Sequence, residues 1–283
     1  MTGQTSSGHR SGAFGQFSGT FVSGDNSSVT NYVLPDNIPD VANVSTTSVW
    51  NVPRPPSRLF VGRDDELRRL HDVLSDGTGV IGQTVKGLGG VGKSELALQY
   101  ASARRAEFTS VWWITADNAA NLTKDLAEIA YSLVAALRVS PPEVAAQWAL
   151  NWLQEHPGWL AVLDNVEQPE DIDAFLGRAA GSRVLVTTRR DMDVDWRRRG
   201  LRSVRLGSLP EDQAIKFLLD ATDQGDRSAA ASVATILGGL PLALEQAAAY
   251  IMALGITLAE YANRLAREPE EPFEYGGQQR AIS

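Results

Sequence analysis

The sequence predicts an α/β fold, a mostly parallel sheet with helices on both faces, followed by a small all-α helical subdomain. Three observations predict it. Between residues 59 and 208, short β-type runs alternate with amphipathic helical stretches, the pattern of a parallel sheet whose crossovers are helices. A glycine-rich stretch, "GLGGVGKS" at Gly87–Ser94, lies between one such run and the next helix. From about Leu209 the β-type runs stop and only helical periodicity continues.

Residues 1–50 are rich in Gly, Ser, Thr, Asn and Val and nearly free of charge. Within Phe14–Val33, β-favouring residues flank Gly24, Asp25 and Asn26, which reads as a hairpin. Two strands alone bury little surface, so a disordered tail is the competing reading. A low-charge, β-prone stretch without proline between residues 11 and 34 also has the character of a self-templating, amyloid-like cross-β segment, against which its glycines weigh. Residues 51–58 are Pro-rich and read as a linker.

Residues 59–208 then form the expected α/β domain. "RDDELRRLHDVLSD" is a helix whose first-turn acids suit the positive end of the helix dipole. "TGVIGQTVKG" is a strand, "KSELALQYASARRA" a helix and "TSVWWITAD" a strand. "NLTKDLAEIAYSLVAAL" and "PPEVAAQWALNWLQEH" are helices, the second started by proline. "WLAVLDNV" is a strand, "QPEDIDAFLG" a helix, "SRVLVTTRR" a strand, and "LRSVRLGSL" adds one more. The basic run Asp195–Gly200 reads as a solvated loop. Residues 209–268 supply four helical stretches, from "PEDQAIKFLLDAT" to "TLAEYANRLARE", and residues 269–283 a polar tail.

Composition excludes several function classes. The net charge of −8 argues against a general nucleic-acid surface, which needs clustered positive charge. There is no cysteine, which removes disulfides and thiolate metal sites. His9, His71 and His156 lack metal-ligand spacing. No apolar run approaches the roughly 20 residues of a membrane span. Without a secretory signature at the N-terminus, the cytoplasm is the expected location.

The chemistry concentrates in "GLGGVGKS". It fits G-x-x-x-x-G-K-[ST] at Gly87, Gly92, Lys93 and Ser94. Glycines let backbone N–H groups wrap around phosphates, Lys93 reaches the β- and γ-phosphates, and the Ser94 hydroxyl ligates magnesium. The helix that starts at Lys93 adds its dipole. This predicts a P-loop NTPase sheet. Asp164, at the end of "LAVLD", is then the second magnesium ligand, and its competing reading is a helix cap. In "SRVLVTTRR", Thr187, Thr188 and Arg189 fall at the carboxyl end of a strand, where ligands bind. Arg189 reads either as a γ-phosphate sensor or as a surface arginine. The nearest approach to a guanine-specifying N/T-K-x-D motif, Thr123-Lys124-Asp125, has the wrong spacing, so adenine is favoured.

Together "FVGRDDEL", "GLGGVGKSELALQYA", "LAVLDNVE", "GSRVLVTTRR" and "GGLPLALEQAAAYI" resemble the NB-ARC group of STAND signal-transduction ATPases, in its bacterial form. The likeness runs from about Leu59 to Ala266. It implies that Phe60, Val61, Gly62 and Arg63 line the adenine pocket. It also implies that Gly87, Gly89, Gly90, Val91, Gly92, Lys93 and Ser94 hold the phosphates, with Ser94 and Asp164 on Mg2+. Arg189 would match the family's first sensor arginine for the γ-phosphate, Pro241 would reach the nucleotide's base and sugar side from the helical subdomain, and Glu95, Thr188 and Leu242 would count with the nucleotide-binding residues. Pro241 also reads simply as a helix-start proline. The expected catalytic set is Lys93, Asp164 and Arg189. Many similar proteins continue into a winged helix and a sensor, so the resemblance favours a fragment or truncated form, with a natural minimal member as the alternative.

One departure bears on activity. Fast relatives carry a second acid where this chain has Asn165. A missing general base costs about 10²–10⁴ in rate, so at most weak ATPase activity is expected, with Glu167 or a neighbouring protomer as the alternative base. The expected function is an ATP/ADP switch, homo-oligomeric when active, that signals through the N-terminal segment to an effector or sensor partner, with defence as one setting. The alternatives are a continuously hydrolysing ATPase and a DNA-linked regulator, although no nucleic-acid partner is expected.

Overall fold

A computed structural model describes residues 38–45, 48–75, 81–86, 89–190 and 193–267. The expected hairpin of residues 14–33 and the tail of residues 269–283 lie outside them.

Among the described residues the sheet has six strands, all parallel: β1 (Trp50–Asn51), β2 (Ile81–Lys86), β3 (Val111–Thr115), β4 (Leu160–Asp164), β5 (Arg183–Thr187) and β6 (Leu201–Arg205). Their order is β1-β3-β4-β5-β2-β6. Parallel strands covered on both faces read as continuous apolar runs, and β4 has that character: Leu160, Ala161, Val162 and Leu163 are all buried. Val162 pairs in register with Leu185 of β5, and both enter one core with Leu70 and Leu74 of helix α1 (Asp64–Ser75) and Leu96, Ala97 and Tyr100 of α2 (Lys93–Ala103). Leu67, Leu70 and Leu74 recur at helical spacing, which turns one stripe of α1 onto β2 and β6. Helix α2 packs on β4 and β5.

Residues 38–45 and 123–155 form a compact unit of their own. It holds most of α3 (Ala119–Leu133), a 3-10 turn at Ala135–Val139 and α4 (Pro142–Glu155). Asp40 caps a second 3-10 turn, Val41–Asn43, by accepting from the Ala42 N–H at 3.0 Å. Two indole N–H groups of α4 hold this segment: Trp148 donates to the Pro39 carbonyl at 3.3 Å and Trp152 to that of Val44 at 2.8 Å.

After β6 come α7 (Glu211–Thr222), α8 (Arg227–Ile236), α9 (Pro241–Leu254) and α10 (Leu258–Arg267). They bury their own core around Ile215, Leu218, Val233, Leu244 and Ile251.

Several elements differ from expectation. The run at Asp195–Gly200 is helical in its first part, α6 (Asp193–Arg198), because Trp196 is fully buried and turns the segment amphipathic. Arg199 is not simply solvated; it donates to both carboxylate oxygens of Asp173 at 2.5 and 3.0 Å. The helix expected over "QPEDIDAFLG" divides into a 3-10 turn, Pro169–Ile172, and a single α-turn, α5 (Asp173–Leu176). The helix expected through "YSLVAAL" stops at Leu133, where buried Val134 turns extended. The Pro-rich stretch begins inside β1, which pairs with β3.

Candidate functional site

The strand order places the chemistry. β5 lies between β4 and β2, so its carboxyl end stands between Asp164, which closes β4, and the loop that follows β2. Ligands of open parallel sheets sit at such ends. A cavity of about 440 Å³ opens there, lined among others by Phe60, Val61, Arg63, Gly90, Val91, Gly92, Lys93, Ser94, Glu95, Asp164, Asn165, Arg189, Pro241 and Leu242.

The phosphate end is polar. Gly90 and Gly92 adopt φ of +78° and +90°, conformations that glycine takes at low cost. Gly92 opens α2, and no side chain caps that helix, so its first-turn N–H groups face the cavity's end of the helix. The Ser94 hydroxyl donates to Asp164 Oδ1 at 2.8 Å. Burial, together with the nearby Arg189 guanidinium, pushes the Lys93 ammonium below its ordinary value, while the Asp164 carboxylate pulls it the other way. Gly87 lies outside the described residues.

The Asp164 carboxylate is held from a second side. The Thr187 hydroxyl donates to Oδ1 at 2.5 Å and accepts from the Asn165 N–H at 2.9 Å. Asn165 is left-handed, with φ of +63°. Ser94 and Asp164 thus offer two hard oxygen donors at the mouth of the phosphate loop. No cluster of three or more His, Asp or Glu suited to a metal occurs among the described residues. Two oxygens fit Mg2+, which keeps several waters and takes its other ligands from phosphates.

The lining also has apolar members, Phe60, Leu209, Phe217 and Pro241. Phe60 packs on the sheet core and Val61 on the helical core, so this short segment joins the two. Gly62 is required where it stands: φ is +68°, and a Cβ would lie 2.7 Å from Gln213 Cγ. Arg63 is almost fully buried and spends its guanidinium on protein. It pairs with Glu66 at 3.0 Å and donates to the carbonyls of Val91, at 3.4 Å, and Gly207, at 2.6 Å. It ties the phosphate loop to the connection that enters α7.

Pro241 is the first residue of α9 and also lines the cavity. The next residue makes the direct link: the Leu242 N–H donates to the Gly90 carbonyl at 3.1 Å. A Cβ on Gly90 would lie 3.1 Å from Leu242 Cβ.

Among the described residues, three expected site residues are not among those lining the cavity. Thr188 is buried and donates to the Val166 carbonyl at 2.6 Å, so Thr187, one position earlier, is the threonine that meets the site. Gly89 is exposed and Gly62 serves the packing just described. Glu167, the alternative base, is exposed and outside the lining. Glu95 lines the cavity, but its carboxylate holds the Pro-rich strap: Ser57 N–H donates to Oε1 and Arg54 pairs with Oε2, both at 2.7 Å. Gln99 adds a donor to the Ser57 carbonyl at 2.6 Å. Sequence reasoning also missed Arg54, Ser57, Leu59, Leu209, Phe217 and Glu245, all of which line the cavity. None belongs to a motif with fixed spacing.

Comparison with known proteins bears on the family and the fold. The NB-ARC domain model matches residues 63–226. A curated relative, a nucleotide-binding leucine-rich repeat (NLR)-like protein of Hyaloscypha variabilis, is 25% identical over 242 residues, 75% of this chain and 24% of its own length. The chain thus spans about a quarter of that relative. Among solved structures, Cdc6p of Pyrobaculum aerophilum aligns with a TM-score of 0.54 at 16% identity, covering 73% of this chain and 66% of that one, and shows a shared fold. A STAND protein with a tetratricopeptide repeat sensor from Pyrococcus horikoshii aligns with a TM-score of 0.45 at 20% identity, covering 67% and 30%.

Proposed function

Because this chain belongs to the NB-ARC domain family, a family of nucleotide-binding P-loop ATPase domains, we propose that it is an ATP/ADP switch that holds nucleotide and hydrolyses it slowly. The observation that carries the reading is the hydrogen bond from Leu242 N–H to the Gly90 carbonyl. One ligand cavity is walled by the phosphate loop and by the first turn of α9, and the two walls are bonded to each other. A ligand shifts a two-state equilibrium only by its differential affinity for the states. A nucleotide gripped by both walls has such a difference to offer.

In this reading the backbone N–H groups of Gly90 to Ser94, with Lys93, hold the phosphates. Ser94 and Asp164 hold Mg2+, which neutralises phosphate charge when bound. Arg189 lines the cavity beside Lys93 and distinguishes a γ-phosphate by charge. Phe60, Phe217 and Pro241 flank the base. Asn165 lines the cavity next to Asp164; its amide orients a water by hydrogen bonding and cannot take its proton, so turnover is slow. Exchange of ADP for ATP loosens the contact of α9 with the phosphate loop, favours a homo-oligomer and brings N-terminal segments together. That clustering is the signal, and defence is one setting for it.

The test is to purify the chain without added nucleotide, identify what co-purifies, and measure its mass in ADP and in a non-hydrolysable ATP analogue. Retained ADP, slow turnover and a larger species with the analogue support the switch. Steady-state turnover above about 1 s⁻¹, the low end for ordinary enzymes, with no change of mass, would replace it with a continuously working ATPase.

A further inference from the structure

We infer that Thr187 is the positioning residue for the magnesium carboxylate, and that its hydroxyl sets the cation dependence of nucleotide binding. The inference rests on the nucleotide-binding reading above. Thr187 closes β5 between the two strands that carry the site, and only 2% of it is exposed. Val85 of β2 pairs with Thr187, and Leu163 of β4 pairs with Val186, so the next step along the β4–β5 ladder sets Asp164 beside Thr187.

One hydroxyl performs two tasks there. Its proton goes to Asp164 Oδ1 at 2.5 Å, and its lone pair accepts the Asn165 N–H at 2.9 Å. The main chain adds a third tie, from Val166 N–H to the Thr187 carbonyl at 2.9 Å. The chain therefore leaves β4 through a left-handed residue that is pinned on both sides to β5. The pin decides two directions at once: where the Asp164 carboxylate points, and which way the Asn165 peptide is turned. Ser94 approaches the same Oδ1 from α2 at 2.8 Å, so Thr187 and Ser94 hold the carboxylate from opposite neighbours.

A carboxylate that must meet a metal with strict geometry gains from being held before the metal arrives. Partners behind a metal ligand typically govern about 10–100-fold in metal affinity. A threonine is the suitable residue. Valine has the same shape and would fill the space, but would leave the Asn165 N–H and Asp164 Oδ1 without this partner. Serine would keep the hydroxyl.

The experiment uses the full chain and a fluorescent ATP analogue, titrated with Mg2+ and again with EDTA, and Mn2+ binding read by electron paramagnetic resonance. Thr187→Val is expected to lose roughly 10-fold or more of Mn2+ affinity and of the Mg2+-dependent gain in nucleotide affinity, with EDTA affinity unchanged. Thr187→Ser is expected to restore both. If the valine variant does not fold, Thr187→Ala carries the same comparison. Equal cation dependence in wild type and Thr187→Val overturns the inference, as does an equal loss with Mg2+ and with EDTA that serine does not rescue. A wild-type chain that binds no nucleotide under either condition overturns instead the reading on which the inference rests.

Discussion

Replacing Asn165 separates the backbone's demand from the chemistry at one position. An ordinary L-residue in the left-handed region costs about 1–2 kcal/mol, and Asn and Asp adopt it more readily than alanine. Asn165 has φ of +63° and its N–H is bonded to Thr187. Asn165→Asp therefore keeps the turn and changes only an amide to a carboxylate beside Asp164. Positioned general bases contribute about 10²–10⁴ in rate, so single-turnover phosphate release is expected to rise by about 10²-fold or more. Asn165→Gly keeps the turn without a side chain and is expected to stay at or below the wild-type rate. Asn165→Ala keeps the slow rate and is expected to lose about 1 kcal/mol, a fall in Tm of about 2–4 °C for a domain of this size. Phosphate release by a binding-protein sensor and thermal melts of the three variants provide the measurements. An unchanged rate in Asn165→Asp would refute the placement of this side chain at the attacking water. A glycine variant less stable than the alanine one would refute the conformational argument.

Further outcomes follow from other parts of the site. Lys93→Ala should abolish nucleotide binding by calorimetry while the fold survives; unchanged ADP affinity would undo the phosphate-loop assignment. The folded Lys93 pKa lies below its unfolded value. Between the two the unfolded chain binds more protons, so this residue's contribution to stability becomes more favourable as pH rises through that window. Phosphates favour the ammonium, so binding should take up protons there and weaken as pH climbs, seen as buffer-dependent heats that vanish in Lys93→Arg, which stays charged. Gly239 has φ of +64°, and an added Cβ would lie 2.6 Å from the Leu209 carbonyl oxygen. Gly239→Ala should cost about 2–3 kcal/mol, from left-handed strain and a disturbed backbone bond, whereas Gly207→Ala, with open space at its Cβ, should melt near wild type.

The parts legible in the sequence were those with fixed spacing or long period. The phosphate loop needs its glycines, lysine and serine at set intervals, and the apolar runs of β3, β4 and β5 are long enough to read. β1 has two residues, too few for any periodicity. α6 depends on burial of one tryptophan, which no local charge count reveals. Which of Thr187 and Thr188 meets Asp164 is not legible in the sequence. Neighbouring strand residues face opposite ways, and only the register with β4 decides which threonine meets Asp164. The partners of Arg63, the carbonyls of Val91 and Gly207, are brought to it by the fold and leave no mark in the local sequence.

Glu95 puts a carboxylate one residue beyond the magnesium serine, where a bound polyphosphate would be repelled by it. Arg54 and the Ser57 N–H take up both of its oxygens. The strap is thus a counter-charge supplied from outside the sheet. Thermodynamic linkage is reciprocal: whatever lifts residues 54–57 restores an anion next to the phosphates, and whatever fills the phosphate site favours the strap in place. Grip on a nucleotide and position of the strap at residues 54–57 are, through this one acid, a single electrostatic variable, sensitive to ionic strength because Arg54 is half exposed.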